Sequence, residues 1–133
     1  MNENRKKKSV MFFIILNMYW SKMNYHNKKF KTVESSDNGA VSADTLFEYK
    51  QVGNIVTAKY CGGEIVSGHL IGIVAENGSI NMRYHQVNLK DELMTGSCFS
   101  KPEVLPNGKI RLYESWKWTS GDASSGKSIL EEQ

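Results

Sequence analysis

FEYKQVGNIVTAKYCGGEIVSGHLIGIVAENGSINMRYHQVN, residues 47–88, sets the turn pairs Gly53-Asn54, Gly62-Gly63 and Asn77-Gly78 between runs of Val, Ile, Thr, Tyr and Phe. Such runs, broken by Gly and Asn at short intervals and lacking a 3.6-residue repeat, are the pattern of antiparallel strands joined by hairpins. The same punctuation continues outward, through Asp37-Asn38-Gly39 on one side and Leu89-Lys90-Asp91 and Pro106-Asn107-Gly108 on the other. Pro102 and Pro106 are the two prolines of the chain; both lie near the last turn, where a strand end can spare an amide hydrogen bond.

Hairpin turns fix which residues face one another, and therefore which side chains share a face. A two-residue loop at Gly53-Asn54 pairs Phe47 with Tyr60, Tyr49 with Ala58 and Gln51 with Val56. Two-residue loops at Gly62-Gly63 and Asn77-Gly78 then pair Tyr60 with Ile65, Val56 with His69, His69 with Gln86, Ile71 with Tyr84 and Ile73 with Met82. A four-residue loop at Asn88–Asp91 and a two-residue loop at Asn107-Gly108 add Tyr84 with Thr95, Ile80 with Phe99, Phe99 with Trp116, Ser97 with Trp118 and Lys101 with Glu114. The expected result is one apolar face from Phe47 to Trp118, with an opposite face carrying Glu48, Lys59, Asn81, Arg83, Arg111 and Lys117.

A twisted meander with one apolar side must close on itself or be covered by another layer. The sequence offers no amphipathic helix of useful length, so the expected fold is all-β, a single up-and-down antiparallel meander closing into a small barrel of seven or eight strands. Its terminal strands are expected at residues 28–35 and 127–132. A two-sheet sandwich is the structural alternative.

At 133 residues the chain is one domain's worth. The formal net charge of +3 is unevenly placed. Eight of the 17 Lys and Arg, and one of the 14 Asp and Glu, fall in residues 1–31, leaving nine bases against 13 acids in the rest. A net-acidic body with scattered bases is no footprint for nucleic acid, whose binding rests on clustered Lys and Arg.

Residues 1–22 read as a basic and hydrophobic leader or a misplaced start, outside the fold, with Met23 as the natural beginning. Arg5–Lys8 followed by the apolar run Val10–Leu16 resembles a secretory signal, but Asn17–Lys22 offers no cleavage pattern. The run is also short of the roughly 20 apolar residues a membrane span requires. A start at Met23 implies a cytoplasmic protein, and use of residues 1–22 implies membrane association or export.

Neither Cys61 nor Cys98 has a CxxC or CxxH neighbourhood, and His26, His69 and His85 are dispersed, so no metal site and no cofactor are expected. The sequence has no GxSxG, HExxH, P-loop or GxGxxG motif and no anchored carboxylate pair, which argues against a catalytic role.

The expected interior mixes Ala58, Ser67, Thr95 and Ser97 with large apolar residues, and small residues leave room in a barrel. Tyr84, His69, Gln86 and Gln51 are placed on the inward face towards one end, with Met82, Trp116 and Trp118 as further wall. These seven are the candidate ligand-binding residues, for a small apolar or amphipathic molecule. The plainer reading is a polar barrel rim whose members bond to one another. For Lys101 with Glu114 it is a cross-strand ion pair. An interaction module with a filled core, using outer residues Leu70, Val74, Arg83, His85 and Met94, is the alternative function.

GNIVTAKYCGGEIVSGHLIGIV, followed by MRYHQVN, ELMTG, LPNGKIRLYESWKWTSGD and the closing SILEEQ, resembles a family of small uncharacterised bacterial proteins. The resemblance covers residues 23–133, and members often carry the label N-acetylglutamate synthase. Acetyltransferases of that class use a pyrophosphate-gripping Q/R-x-x-G-x-G/A turn that opens a helix, and the sequence has neither. In shape the meander resembles the calycin group, including lipocalins, which implies small apolar ligands by analogy.

Overall fold

The computed structural model describes residues 23–133; the expectations for residues 1–22 lie outside them. Eight strands run in chain order: β1 (Lys29–Ser35), β2 (Leu46–Val52), β3 (Ile55–Gly62), β4 (Ile65–Val74), β5 (Ile80–Asn88), β6 (Leu93–Val104), β7 (Ile110–Trp118) and β8 (Ser125–Glu132). Each pairs antiparallel with the next, and β1 pairs with β8 from Phe30 with Glu132 to Ser35 with Ser128, so the sheet is a closed barrel. The described residues contain no helix. Closure, rather than a sandwich, pairs β1 with β8, so that among the described residues neither terminal strand is left as a sheet edge.

The two ends of the barrel differ. At one end the short 53–54, 76–78 and 106–108 hairpins gather around the N-terminal segment. Tyr25 is fully buried there and donates its hydroxyl to Gly78 O at 2.5 Å. Its ring lies 6.1 Å from Tyr49 and 6.4 Å from Phe30, so the segment plugs that end. At the other end lie the hairpins 63–64 and 89–91, the loop 119–124 and the long β1–β2 connection, residues 36–45. β1 and β2 pair only from Lys29 with Glu48 to Lys31 with Leu46, so this connection leaves the wall early and crosses the opening as a strap.

Pairing of β2 with β3 is as expected, including Phe47 with Tyr60 and Gln51 with Val56. Later hairpins differ, for one repeated reason. Gly78 at φ 85°, Asp91 at φ 57° and Gly108 at φ 83° are the third residues of three-residue loops. Ala75 N–H donates to Ser79 O at 2.8 Å, Asn88 N–H to Glu92 O at 3.1 Å and Leu105 N–H to Lys109 O at 2.8 Å across those loops. This is the turn-plus-left-handed-residue hairpin, in which Asn77 and Asn107 keep negative φ and accept Ser79 and Lys109 N–H on their side chains. The tighter Asn-Gly turn would need both residues at positive φ.

A loop one residue longer or shorter moves every following side chain to the other face. At the β3–β4 hairpin the loop is Gly63-Glu64, and β4 carries an extra residue between Ile65 and Ser67, so Tyr60 faces Gly68 rather than Ile65. β4 is therefore turned over: Gly68, Leu70, Gly72 and Val74 point inward, and His69, Ile71 and Ile73 outward. The 76–78 loop reverses the error, leaving Met82 and Gln86 buried as expected. The same alternation turns β6 over, so Cys98 and Ser100 are buried while Ser97, Phe99 and Lys101 face away from the core, and then restores Glu114, Trp116 and Trp118 to the interior.

Inward glycines on the wall face aromatic partners. Gly68 pairs with Tyr60, Gly96 with Tyr84 and Gly126 with Trp116. A Cβ added at Gly68 would stand 2.3 Å from the Tyr60 ring, and one at Gly126 would stand 2.4 Å from Trp116. Each ring lies across the bare backbone of the adjacent strand, a close approach that glycine alone permits.

Candidate functional site

The strap end of the barrel holds an aromatic chamber. Its walls come from Phe47 on β2, Tyr60 on β3, Leu70 on β4, Met82, Tyr84 and Gln86 on β5, Cys98 on β6, Glu114, Trp116 and Trp118 on β7 and Ser128 on β8, with Gly39, Ala40 and Val41 of the strap as its roof. Phe47 and Tyr60 stack at 4.7 Å between ring centroids. Trp118 meets Tyr84 edge-on at 5.6 Å and Trp116 at 5.8 Å. With the strap in place the free space between these walls is about 50 Å³, room for a few water-sized groups. On the strap's outer side a shallower hollow of about 390 Å³ continues past Asp37, Asn38, Gln86, Asn88 and Trp118.

The strap is fastened near its two ends, and Ser36 begins it by donating its N–H and Oγ to Lys127 O at 2.8 and 3.0 Å and accepting Lys127 N–H on Oγ at 2.8 Å. Trp118 Nε1 donates to Asn38 O at 3.1 Å, and Asn38 Nδ2 donates to Ser124 Oγ at 3.0 Å and Ser125 O at 2.9 Å. Gly39 N–H donates to Ser36 O at 3.0 Å, and at the far end Thr45 Oγ1 donates to Gly62 O at 3.2 Å.

Polar groups in and behind the chamber wall are incompletely matched. Tyr60 donates its hydroxyl to Gln86 Oε1 at 2.9 Å, while Gln86 Nε2 has no partner among the described residues. Deeper in, Glu114 accepts Ser128 Oγ at 3.3 Å and Cys98 Sγ at 3.7 Å, both long contacts. Tyr49 OH, Ser100 Oγ and Thr32 Oγ1 are buried with no hydrogen-bond partner among the described residues. Burial raises the Glu114 carboxyl from an ordinary 4.5 to about 7, against the opposing hydrogen bonds of Ser128 and Cys98. Burial, with Glu114 nearby, also pushes the Cys98 thiol and the Tyr49 and Tyr60 hydroxyls well up, so none of them is an ionised nucleophile at neutral pH.

Of the seven residues expected at the site, Met82, Tyr84, Gln86, Trp116 and Trp118 meet in this chamber. His69 does not: it stands on the outer wall, edge-on to His85 at 5.6 Å. Gln51 lies at the opposite, plugged end, where its Oε1 accepts Tyr25 N–H at 2.9 Å and its Nε2 donates to Gly53 O at 2.9 Å. The pairing of Lys101 with Glu114 is also corrected: Lys101 pairs with Tyr113 and is exposed near the Phe99 ring, and Glu114 is buried without an ion-pair partner among the described residues. Leu70 and Val74, expected on the outer wall, are core residues. Sequence reasoning missed Leu70, Cys98 and Ser128 as chamber wall, and the strap altogether. The signal for the first two was the Gly68, Gly72 and Gly96 series, since glycine on an inward face accommodates a neighbouring ring.

Among the described residues there is no group of three or more His, Cys, Asp or Glu arranged to hold a metal ion, and no helix long and apolar enough to cross a membrane.

An eight-stranded antiparallel meander closed into a barrel around an aromatic interior has the calycin-like architecture. Residues 23–133 match the family described as avidin-like protein, and the chain belongs to that family. The N-acetylglutamate synthase label is not confirmed by this match. No curated protein matches the chain.

Proposed function

We propose that the barrel binds a small, largely apolar molecule in the aromatic chamber, with Trp116, Trp118, Tyr84 and Met82 as its walls and Gln86 as a hydrogen-bond donor near the opening. The observation that carries this reading is that Gln86 Nε2 is buried beside the aromatic wall and has no partner among the described residues. A buried donor left unmade costs about 1–3 kcal/mol, which a ligand acceptor recovers. Membership of the avidin-like family supports the same reading.

A molecule larger than this 50 Å³ space needs the strap to lift. Displacing Ala40 and Val41 joins the chamber to the outer hollow, giving space of the size that small-molecule pockets occupy, roughly 300 Å³ and above. Native mass spectrometry of the purified protein, with thermal shift across a panel of small amphipathic metabolites, tests the proposal. A bound mass or a stabilised melt supports it; a bare protein unmoved by the whole panel counts against it.

A second reading, as an interaction module, rests on the outer wall. Ile55 pairs with Ile73, Thr57 with Ile71 and Asn81 with Phe99, and the four apolar members are between 44% and 60% exposed. Apolar residues grouped on a surface mark contact sites. Sedimentation of the wild type against Ile71→Lys distinguishes the readings, since self-association through this wall would be lost in the variant while chamber binding would persist.

A further inference from the structure

We infer that the ligand carries an organic ammonium group, a primary or methylated amine, seated in the chamber between Glu114 and the aromatic wall. The inference rests on the proposed binding function and specifies its chemistry. Among the described residues Glu114 is the only carboxylate lining the chamber, and their lining contains no Lys, Arg or His. The ion pairs among the described residues, Lys28 with Glu132 and Arg111 with Glu131, lie elsewhere. A buried carboxylate lacking a countercharge is costly when ionised.

The groups facing Glu114 come from the surrounding strands: Tyr49 on β2, Tyr60 on β3, Tyr84 on β5, Cys98 and Ser100 on β6 and Ser128 on β8. All are neutral at neutral pH; Lys101 on β6 and Lys127 on β8, which line a hollow that Glu114 also borders, make no ion pair with it among the described residues. An ammonium head in the chamber offers what Glu114 lacks, a positive charge and N–H donors for its oxygens.

The walls suit the same head. Aromatic faces attract cations through the ring quadrupole, and cages of Trp and Tyr are a recurrent means of holding ammonium ions. Here Phe47, Tyr60, Tyr84, Trp116 and Trp118 line one chamber with the carboxylate. A neutral ligand of the same shape would gain the apolar contact but leave Glu114 uncompensated.

The test is calorimetric titration of the full-length protein at pH 8 with hexylammonium and with hexan-1-ol, a pair sharing the tail and differing in the charged head. Hexylammonium is expected to bind on the order of tenfold more tightly or better, and Glu114→Gln to abolish that preference. Equal binding of the alcohol, or a preference that survives in Glu114→Gln, overturns the ammonium assignment while leaving the binding function standing. Binding of neither compound at millimolar concentration overturns both. Carboxyl-carbon NMR of the wild type gives a reading independent of how the variant folds: saturating hexylammonium should lower the pH midpoint of Glu114, and an unmoved midpoint overturns the assignment.

Discussion

Trp118 donates its indole N–H to the backbone carbonyl of Asn38 at 3.1 Å, so a wall residue of the chamber also fastens the strap that roofs it. The Asn38 side chain adds the two bonds to Ser124 and Ser125, which tie the strap to the start of β8. The chamber wall and the anchoring of its roof are thereby joined at one point.

Asn38→Ala should loosen the roof without disturbing the barrel. It removes two side-chain hydrogen bonds at the surface, at a cost of about 1 kcal/mol. Amide exchange at Gly39, Ala40 and Val41 is expected to accelerate while β3–β7 amides keep their protection. Uniform acceleration throughout the chain would show that the strap does not open separately.

Glu114 should leave a mark on stability between pH 4.5 and 7. Its carboxyl is raised in the folded protein from 4.5 to about 7, so over that interval the folded state holds a proton that the unfolded chain releases. The stabilising contribution is present below pH 4.5 and is lost as pH rises towards 7 and above, by about 3 kcal/mol at most. Urea unfolding of wild type and Glu114→Gln at pH 4.5, 6, 7 and 8 checks this. The variant should gain relative to wild type as pH rises, whereas a constant difference would contradict the buried, uncompensated carboxyl.

Gly68→Ala probes the contact between ring and backbone. Its Cβ would stand 2.3 Å from Tyr60 Cε2, so the ring must move, and with it the hydroxyl that donates to Gln86. Overpacking of this kind costs about 1–3 kcal/mol, read as a lowered melting temperature. A melt unchanged within error would mean that the Tyr60 ring does not lie over β4.

Tyr84→Ala should weaken whatever the chamber binds. The side chain is half-buried, meets Trp118 edge-on and lines the chamber. Loss of its ring removes aromatic contact worth about 0.5–1.5 kcal/mol beyond its buried area, so affinity for a chamber ligand should fall several-fold or more. His69→Ala, on the outer wall, is the matched control and should leave affinity unchanged. The reverse order of effects would place the site outside the barrel.

The sequence by itself determined the antiparallel meander and the order of its strands, narrowed their number to seven or eight and favoured closure over a sandwich. Turn residues recur at short intervals, the runs between them are rich in β-branched and aromatic residues, and a one-sided apolar meander without a covering helix has to close. It also placed Phe47, Tyr60, Met82, Gln86, Trp116 and Trp118 inside. For those on β5 and β7 two register errors cancelled, since each misjudged hairpin reversed the one before it. Tertiary structure alone decided which way β4 and β6 face. β4 is apolar on both sides, with Leu70 and Val74 in and Ile71 and Ile73 out, so alternation of hydrophobicity could not choose between them. The choice was made by loop geometry, through the positive φ of Gly78, Asp91 and Gly108 and the extra residue in β4, and by the need of the Tyr60 and Tyr84 rings for bare backbone at Gly68 and Gly96. That choice took His69 out of the chamber, brought Cys98 in and left Glu114 buried without Lys101. The strap, whose chain neighbours give no hint of where it lies, was placed over the chamber by contacts with β7 and β8 far along the chain.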